Sequence, residues 1–148
     1  VFTSNYKRYV ITGTDCRPST DQKNLIFQYR DASGLNSDVD YVSAFMNADT
    51  NGGTGSGHAD DQTVGLVLNN IGSNGTESGN FIAYLDPITS NTPKFMHYRS
   101  YGQMQDATAR TMFGGVAYND ATVMTGIKWY WSSGNWESGT IKIYGVND

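Results

Sequence analysis

Residues 126–148 of the chain read GIKWYWSSGNWESGTIKIYGVND and hold all three of its tryptophans. Successive side chains of a strand point to opposite faces, so Ile127, Trp129 and Trp131 share one face of a first strand. An apolar face that alternates with polar residues is typical of a strand packed on a core. The segment therefore predicts a β-fold, with two tryptophans at core positions.

A second strand is predicted at residues 140–146, where Ile141 and Ile143 form the apolar face. We expect the two strands to pair as a hairpin across the Ser- and Gly-rich stretch between them. The residues expected to be buried between two sheets are then Trp129, Trp131, Ile141 and Ile143. Trp136 lies in the connecting loop and should be far more exposed than Trp131.

Strand-like alternation recurs along the rest of the chain at intervals of roughly 10–15 residues, which is typical of an all-β sandwich or barrel. The clearest example is NLIFQYR, in which Leu25, Phe27 and Tyr29 share one face. In residues 103–112 a faint helical spacing is weaker than the strand pattern. The pattern predicts about nine strands, at residues 6–13, 24–30, 39–47, 62–69, 80–86, 94–99, 109–118, 122–131 and 140–146.

No linker or repeat divides the 148 residues, a length sufficient for one core. We therefore expect a single antiparallel β-sandwich domain over residues 1–148. A start at Val rather than Met is consistent with processing, or with the C-terminal part of a longer chain. Residues 49–61, DTNGGTGSGHADD, are Gly- and Asp-rich without an apolar pattern, so a flexible surface loop is expected there.

The composition excludes several classes of function. A net charge of −4 and a pI near 4.9 argue against nucleic-acid binding, which needs a basic patch. The apolar runs are too short to insert in a membrane. Cys16 is the single cysteine, so the chain can form neither an internal disulfide nor a cysteine-based metal site. A small apolar role is expected for it.

The titratable residues do not suggest catalysis. His58 falls in the predicted loop, and His97 lies mid-strand beside Arg99, on a face shared with Phe95. The acidic residues lie mostly in predicted turns, and no hydrolase, metalloprotease or phosphate-loop motif occurs. We therefore expect no enzymatic activity and no cofactor.

Two acidic stretches contain oxygen ligands that a hard cation could use. Neither has the spacing of a calcium loop, and Asp, Asn, Ser and Gly are also the residues of β-turns. We expect a structural turn at the first stretch, a solvated loop at the second, and no metal at either. The first contains Asp31, Ser33, Asn36, Asp38 and Asp40, and the second Asp49, Asn51, Asp60 and Asp61. Asn74-Gly75-Thr76 is interpreted as an Asn-Gly turn.

Segments near both ends carry a resemblance. FTSNYKRYVI at residues 2–11 runs into TDCRPSTD at 14–21 and NLIFQYR at 24–30, and GTIKIYGV occupies 139–146. These segments resemble the jelly-roll virion domains of tailed bacteriophages, found at the C-termini of tail-fibre, head-fibre and other virion structural proteins. The middle of the chain is generic. Such domains usually have another strand before the first motif.

The resemblance implies a jelly-roll type of sandwich on the surface of a phage particle, in contact with other virion proteins. The function it implies is non-enzymatic binding of a host cell-surface glycan at the tip of a tail fibre. A capsid-decoration or head-fibre protein that binds capsid is an alternative with the same fold. A free-standing carbohydrate-binding module is a second alternative, which explains the aromatic residues but not the missing strand.

Sugars are bound by aromatic faces against their C–H surfaces, with Asn, Asp and Glu side chains as hydrogen-bonding partners at the rim. Trp136, flanked by Asn135 and Glu137, is the first candidate for such a site. Tyr101 is a further aromatic candidate. The alternative for Trp136 is packing under its own loop or against a neighbouring subunit.

A homotrimer is implied by the resemblance, since tail-fibre tips of this type are trimers. The chain adds reasons of its own: 13 % of its residues are aromatic and only 16 % are charged. An edge left open by a missing strand also needs cover. The candidate contacts are Tyr6, Tyr98, Tyr101 and Tyr118.

Overall fold

The computed structural model of the chain describes residues 2–86 and 91–147, with residues 59–61 described in their backbone alone. Throughout these ranges the chain forms strands, turns and bends, and the faint helical spacing at residues 103–112 produces no helix. The ten strands of the described ranges are β1 (Arg8–Pro18), β2 (Lys23–Arg30), β3 (Tyr41–Asp49), β4 (Thr54–Gln62), β5 (Gly65–Ile71), β6 (Gly79–Leu85), β7 (Lys94–Gln103), β8 (Ala109–Tyr118), β9 (Gly126–Trp131) and β10 (Trp136–Val146).

The strands form two sheets. Seven strands in the order β10-β1-β6-β7-β8-β3-β4 make the large sheet, and β5-β2-β9 make the small sheet. Each pairing between these strands is antiparallel. The predicted antiparallel β-sandwich is confirmed, while its jelly-roll type stays a prediction.

The core lies between the small sheet and one face of the large sheet, which we call the inner face. Phe27 of the small sheet lies 6.1 Å from the ring of Tyr41, and Trp129 lies 5.1 Å from the ring of Phe81. Alternation works as the sequence predicts on β2, whose Leu25, Phe27 and Tyr29 are buried. The opposite, outer face of the large sheet is not covered by the small sheet.

The predicted hairpin between the last two strands is wrong. In β9, Trp131 lies opposite Leu25 of β2 in the small sheet, whereas in β10 Ile143 lies opposite Ile11 of β1 in the large sheet. The connection therefore crosses from one sheet to the other. Alternation fixes which face of a strand is apolar, but it does not fix which strand lies alongside.

Burial of this region partly follows the prediction. Trp131 is 3 % exposed, and Trp129 and Ile141 are partly buried against the core. Ile143 is 38 % exposed, so its predicted burial is wrong, because β10 is the edge of the large sheet. Trp136, also 38 % exposed, is far more accessible than Trp131, as predicted, but it begins β10 instead of lying in a loop.

The predicted flexible loop at residues 49–61 is also wrong, since most of it forms the edge strand β4, paired with β3. Asp49 holds the turn between them, where Oδ1 accepts from the N–H groups of Asn51 and Gly53 at 3.1 and 2.9 Å. A Cβ on Gly57 would lie 2.6 Å from the ring of Phe45. An edge strand needs backbone partners on one side and little side-chain anchoring, so a glycine-rich sequence can supply it.

Candidate functional site

The outer face of the large sheet presents several large side chains to solvent. On β7 burial alternates strictly, so Met96 and Tyr98 are buried while Phe95 and Tyr101 are exposed. His97 lies between Phe95 and Arg99 on that same face, as predicted. Tyr101, with 63 % of its surface exposed, is the residue of this strand that the sequence singled out for ligand binding.

A cleft of about 600 Å³ surrounds Tyr101 at one end of this face. Asn80 of β6 lies directly opposite Tyr101 on one side, and Thr111 of β8 lies opposite it on the other. Thr76 and Ser78, just before β6, also line the cleft. The aromatic ring is therefore bordered by an amide and by several hydroxyl groups.

Asn80 is held in place by the backbone of β1. Its Oδ1 accepts from the N–H of Asp15 at 3.0 Å, where the first strand bulges and Asp15 adopts a φ of 51°. Because the carbonyl oxygen is used in this way, the side-chain NH₂ group of Asn80 is the part that can donate to a ligand. The amide is thus preoriented before any ligand arrives.

The charged pair at the edge of the cleft is internally compensated. Arg110 Nη2 lies 3.4 Å from Asp49 Oδ2, and both side chains are mostly buried. In the amide orientation that gives both of its polar atoms partners, Asn47 accepts from Nε of Arg110 at 3.3 Å. Positive and negative charge therefore cancel locally, and the cleft suits an uncharged polar ligand better than an ion.

The first candidate from the sequence lies elsewhere. The Trp136 ring centre is 5.4 Å from that of Trp131, so Trp136 packs at the end of the core and exposes one part of its ring. Asn135 is tied to Ser19 by two hydrogen bonds: its N–H donates to Ser19 Oγ at 3.0 Å, and its C=O accepts from the Ser19 N–H at 2.9 Å. Glu137 is exposed beside them.

The structure does not bring Tyr101 and Trp136 into one site. Their strands, β7 and β10, are separated by β6 and β1 in the large sheet. Three strand spacings of about 4.8 Å place the two strands about 14 Å apart. Tyr101 also projects from the outer face into solvent, whereas Trp136 contacts Trp131 of the small sheet. The four predicted residues therefore form two separate surfaces.

The sequence did not single out Asn80, Thr111 or Arg110 as cleft residues. Asn80 and Thr111 come to Tyr101 through strand pairing, Arg110 lies opposite Gly102 and Asp49, and no local motif marks any of the three. The sequence contains only a weak indication of this role for Asn80. Asn80 is the first residue of the apolar strand pattern at 80–86, and a polar side chain at that position can face outward. Cross-strand neighbours become visible only once the pairing is known.

Several acidic residues serve as turn caps. Asp31 Oδ1 accepts from Ser33 N, Ser33 Oγ and Gly34 N at 2.6, 2.7 and 3.0 Å, which confirms the predicted structural turn. The hydrogen bonds from Ser33 lower the pKa of this carboxyl group. Hydrogen bonds from neighbouring residues also lower the pKa of three other carboxyl groups, those of Asp21, Asp106 and Asp120.

Glu77 is buried and caps the predicted Asn-Gly turn. Its Oε2 accepts from the N–H of Asn74 at 2.8 Å, and its own N–H donates to the Asn74 carbonyl at 2.8 Å.

Among the residues with described side chains, no group of three or more His, Cys, Asp or Glu comes together in an arrangement that could hold a metal ion.

A cluster of tyrosines lies in the core. The Tyr29 and Tyr41 rings are stacked 5.9 Å apart, and Tyr118 lies 4.6 Å from Tyr41. Tyr41 Oη accepts from the N–H of Tyr29 at 2.6 Å. Burial raises the pKa of all three hydroxyl groups, which therefore stay protonated. Tyr98 and Tyr118 are buried, so neither can supply the subunit contact suggested for them by the sequence.

Comparison with known proteins identifies no relative of established function. No family model matches the chain, and no curated protein matches it. One solved structure, a domain of unknown function, DUF4425, from Bacteroides vulgatus, is similar over 97 % of this chain and 96 % of that chain, at 12 % identity. Its TM-score of 0.16 is too low for the likeness to carry an argument.

Within the described ranges, no helix has the length and apolar character that crossing a membrane requires.

Proposed function

We propose that this chain is a non-enzymatic glycan-binding domain of a bacteriophage virion, located at the tip of a tail fibre, where it binds a host cell-surface glycan. The observation that carries the proposal is the exposed Tyr101 ring, set in a cleft whose immediate neighbours are Asn80 and Thr111.

The chemistry of this cleft matches that of a neutral sugar. One face of a pyranose ring is a row of C–H groups that packs on an aromatic side chain, and its edge carries hydroxyl groups. Asn80 can donate to such a hydroxyl, and Thr76 and Ser78 can both donate and accept. Thr111 Oγ1 donates to the carbonyl oxygen of Ser100 at 3.4 Å and can accept from the sugar. The compensated pair of Arg110 and Asp49 leaves little net charge to attract an acidic sugar.

The virion location rests on the sequence resemblance. Of the segments that carry it, those in β1 and β10 are paired neighbours in the large sheet, whereas residues 24–30 lie in β2 of the small sheet. The jelly-roll type and a homotrimeric state belong to the same proposal. A capsid-decoration domain and a free-standing carbohydrate-binding module remain the alternatives with different partners.

Glycan-array screening of the purified chain, followed by calorimetric titration of the best ligand, tests the proposal. Tyr101→Ala should weaken binding about tenfold or more, which corresponds to roughly 1.4 kcal/mol. Tyr101→Phe keeps the ring and is the matched control, so it should retain most of the affinity.

Two results would point elsewhere. Loss of binding in Trp136→Ala, with Tyr101→Ala unchanged, would move the site to the β9–β10 connection. If no glycan binds and the chain instead cosediments with phage capsids, the decoration alternative replaces the proposal.

A further inference from the structure

The outer face of the large sheet carries a second feature, separate from the Tyr101 cleft. Six large apolar side chains, each 38–69 % exposed, lie together on its strands. Strand pairing brings them into neighbouring rows: Phe95 and Val42 flank Ala117, and Phe113 lies opposite Met46. We call this the outer apolar face; its members are Val42, Met46, Tyr84, Phe95, Phe113 and Tyr144.

The exposed apolar area of this face is at the upper end of the range for one monomer and approaches one partner's share of a protein interface. Large apolar side chains have roughly 200 Å² of surface, so six that are about half exposed present about 600 Å². The largest apolar patch on a typical monomer is about 300–600 Å². A stable protein–protein interface buries about 800 Å² on each partner. The apolar side chains alone therefore supply most of one partner's share.

Gly115 lies in the middle of this face, between His97 on β7 and Ala44 on β3. A Cβ there would meet only the carbonyl oxygen of Met96, at 3.4 Å, an ordinary contact distance. Its neighbour Gly114 points inward, where a Cβ would lie 2.4 Å from the Tyr98 ring. Packing within the chain thus requires glycine at Gly114 but not at Gly115.

A glycine inside a strand is unfavourable unless something approaches the backbone closely. Ala44 and Ala117 are small residues next to Gly115, so the three together form a depression in the outer face. The larger side chains of Phe113 and Met46 project next to this depression. A hollow of about 420 Å³ opens between Ala44, Phe113 and the edge strand β4. The face therefore has both projections and depressions, which lets two copies of it fit together.

We infer that the outer apolar face binds a second copy of this chain, sheet against sheet, with the contact centred on Gly115. Two sheets packed face to face lie about 10 Å apart, close enough for side chains of one copy to fill the hollow of the other. Arg99 also lies on this face, and its guanidinium group lies over the Phe113 ring, 5.5 Å from its centre, which gives the cation a partner within the chain. Tyr101 lies at the margin of the face, two residues beyond Arg99.

Sedimentation velocity, from low to high micromolar concentration, tests the inference on the whole chain. Because a face joined to the same face of another copy closes as a two-fold contact, wild type should sediment as a dimer. Gly115→Lys and Met46→Lys should weaken association about tenfold or more, with unchanged far-UV circular dichroism. Val39→Lys is the matched control, because Val39 is equally apolar and exposed but lies in the β2–β3 loop. It should associate as wild type does.

Hydrogen exchange compared between dilute and concentrated protein locates the contact without any mutation. Protection on concentration should appear in β3, β7 and β8 but not in β2 or β9. A dimer would support this face and replace the proposed homotrimer, whereas a trimer, which one face joined to the same face cannot close, would support the homotrimer and overturn the inference. A wild-type monomer at every concentration, or protection confined to other strands, would overturn the inference.

Discussion

Trp136→Ala separates the two roles open to this tryptophan, packing and ligand contact. If Trp136 closes the end of the core over Trp131, as their 5.4 Å ring separation indicates, its removal should destabilise the fold. If it is mainly a free platform for a ligand, removal should leave stability nearly unchanged. The substitution is therefore informative without any knowledge of the ligand.

The expected magnitude follows from burial. A tryptophan side chain has up to about 250 Å² of surface, and Trp136 is 38 % exposed, so about 150 Å² is removed from water. At about 25 cal/mol per Å² this corresponds to about 4 kcal/mol. Residual burial in the unfolded chain lowers the figure by up to about 40 %. We expect a loss of about 2–3 kcal/mol in the free energy of unfolding.

Urea unfolding followed by far-UV circular dichroism measures this loss without relying on tryptophan emission. Tyr101→Ala is the comparison, because Tyr101 is 63 % exposed and buries far less surface. The same reasoning gives about 1 kcal/mol for it. Equal losses for the two variants, or a loss below about 0.5 kcal/mol for Trp136→Ala, the scale of an ordinary surface substitution, would refute the packing role.

Three further predictions concern the rest of the molecule. Cys16 is buried, and burial raises the pKa of its thiol to about 12, so a disulfide reagent should modify it in urea but hardly at all in the native protein. The backbone N–H of Thr122 donates to Asp120 and holds the pKa of its carboxyl group below the ordinary value of 3.8. The ionised carboxylate therefore stabilises the fold above pH 3.8, and this stabilisation is lost as the pH falls through the lower pKa of the folded state. The difference in melting temperature between wild type and Asp120→Asn should therefore shrink on acidification. Gly114→Ala should destabilise the fold by about 1–3 kcal/mol through overpacking, whereas Gly115→Ala should be neutral or slightly stabilising in the monomer. Chemical denaturation measures both changes, and equal losses of stability in the two variants would contradict the outward orientation of Gly115.

The sequence predicts which face of a strand is buried better than it predicts which strands pair. Leu25, Phe27, Tyr29 and Trp131 are buried where alternation placed them, because alternation is a local property of an extended backbone. The hairpin between β9 and β10 was predicted wrongly because each strand found a partner distant in sequence, β2 and β1. Pairing depends on the whole set of apolar faces, which a local pattern does not contain.

The glycine-rich strand β4 was missed for a related reason. Its side chains show no apolar period, and its backbone is held through pairing with β3 and through the turn at Asp49. The same limit applies to the candidate site. Tyr101 can be selected from the sequence as an aromatic residue just beyond the predicted strand at 94–99, but Asn80 and Thr111 become its neighbours only through the register of β6, β7 and β8.

The Tyr101 cleft and the outer apolar face lie on the same side of the large sheet, and their arrangement has a consequence for binding. If copies associate through the face around Gly115, each brings its own cleft to the margin of the contact. A weak site for a single sugar then gains avidity on a surface that carries many copies of the glycan, because the second contact becomes intramolecular. A shallow cleft with one exposed ring suits this mode of binding, in which the assembly supplies the strength and each site supplies the selectivity.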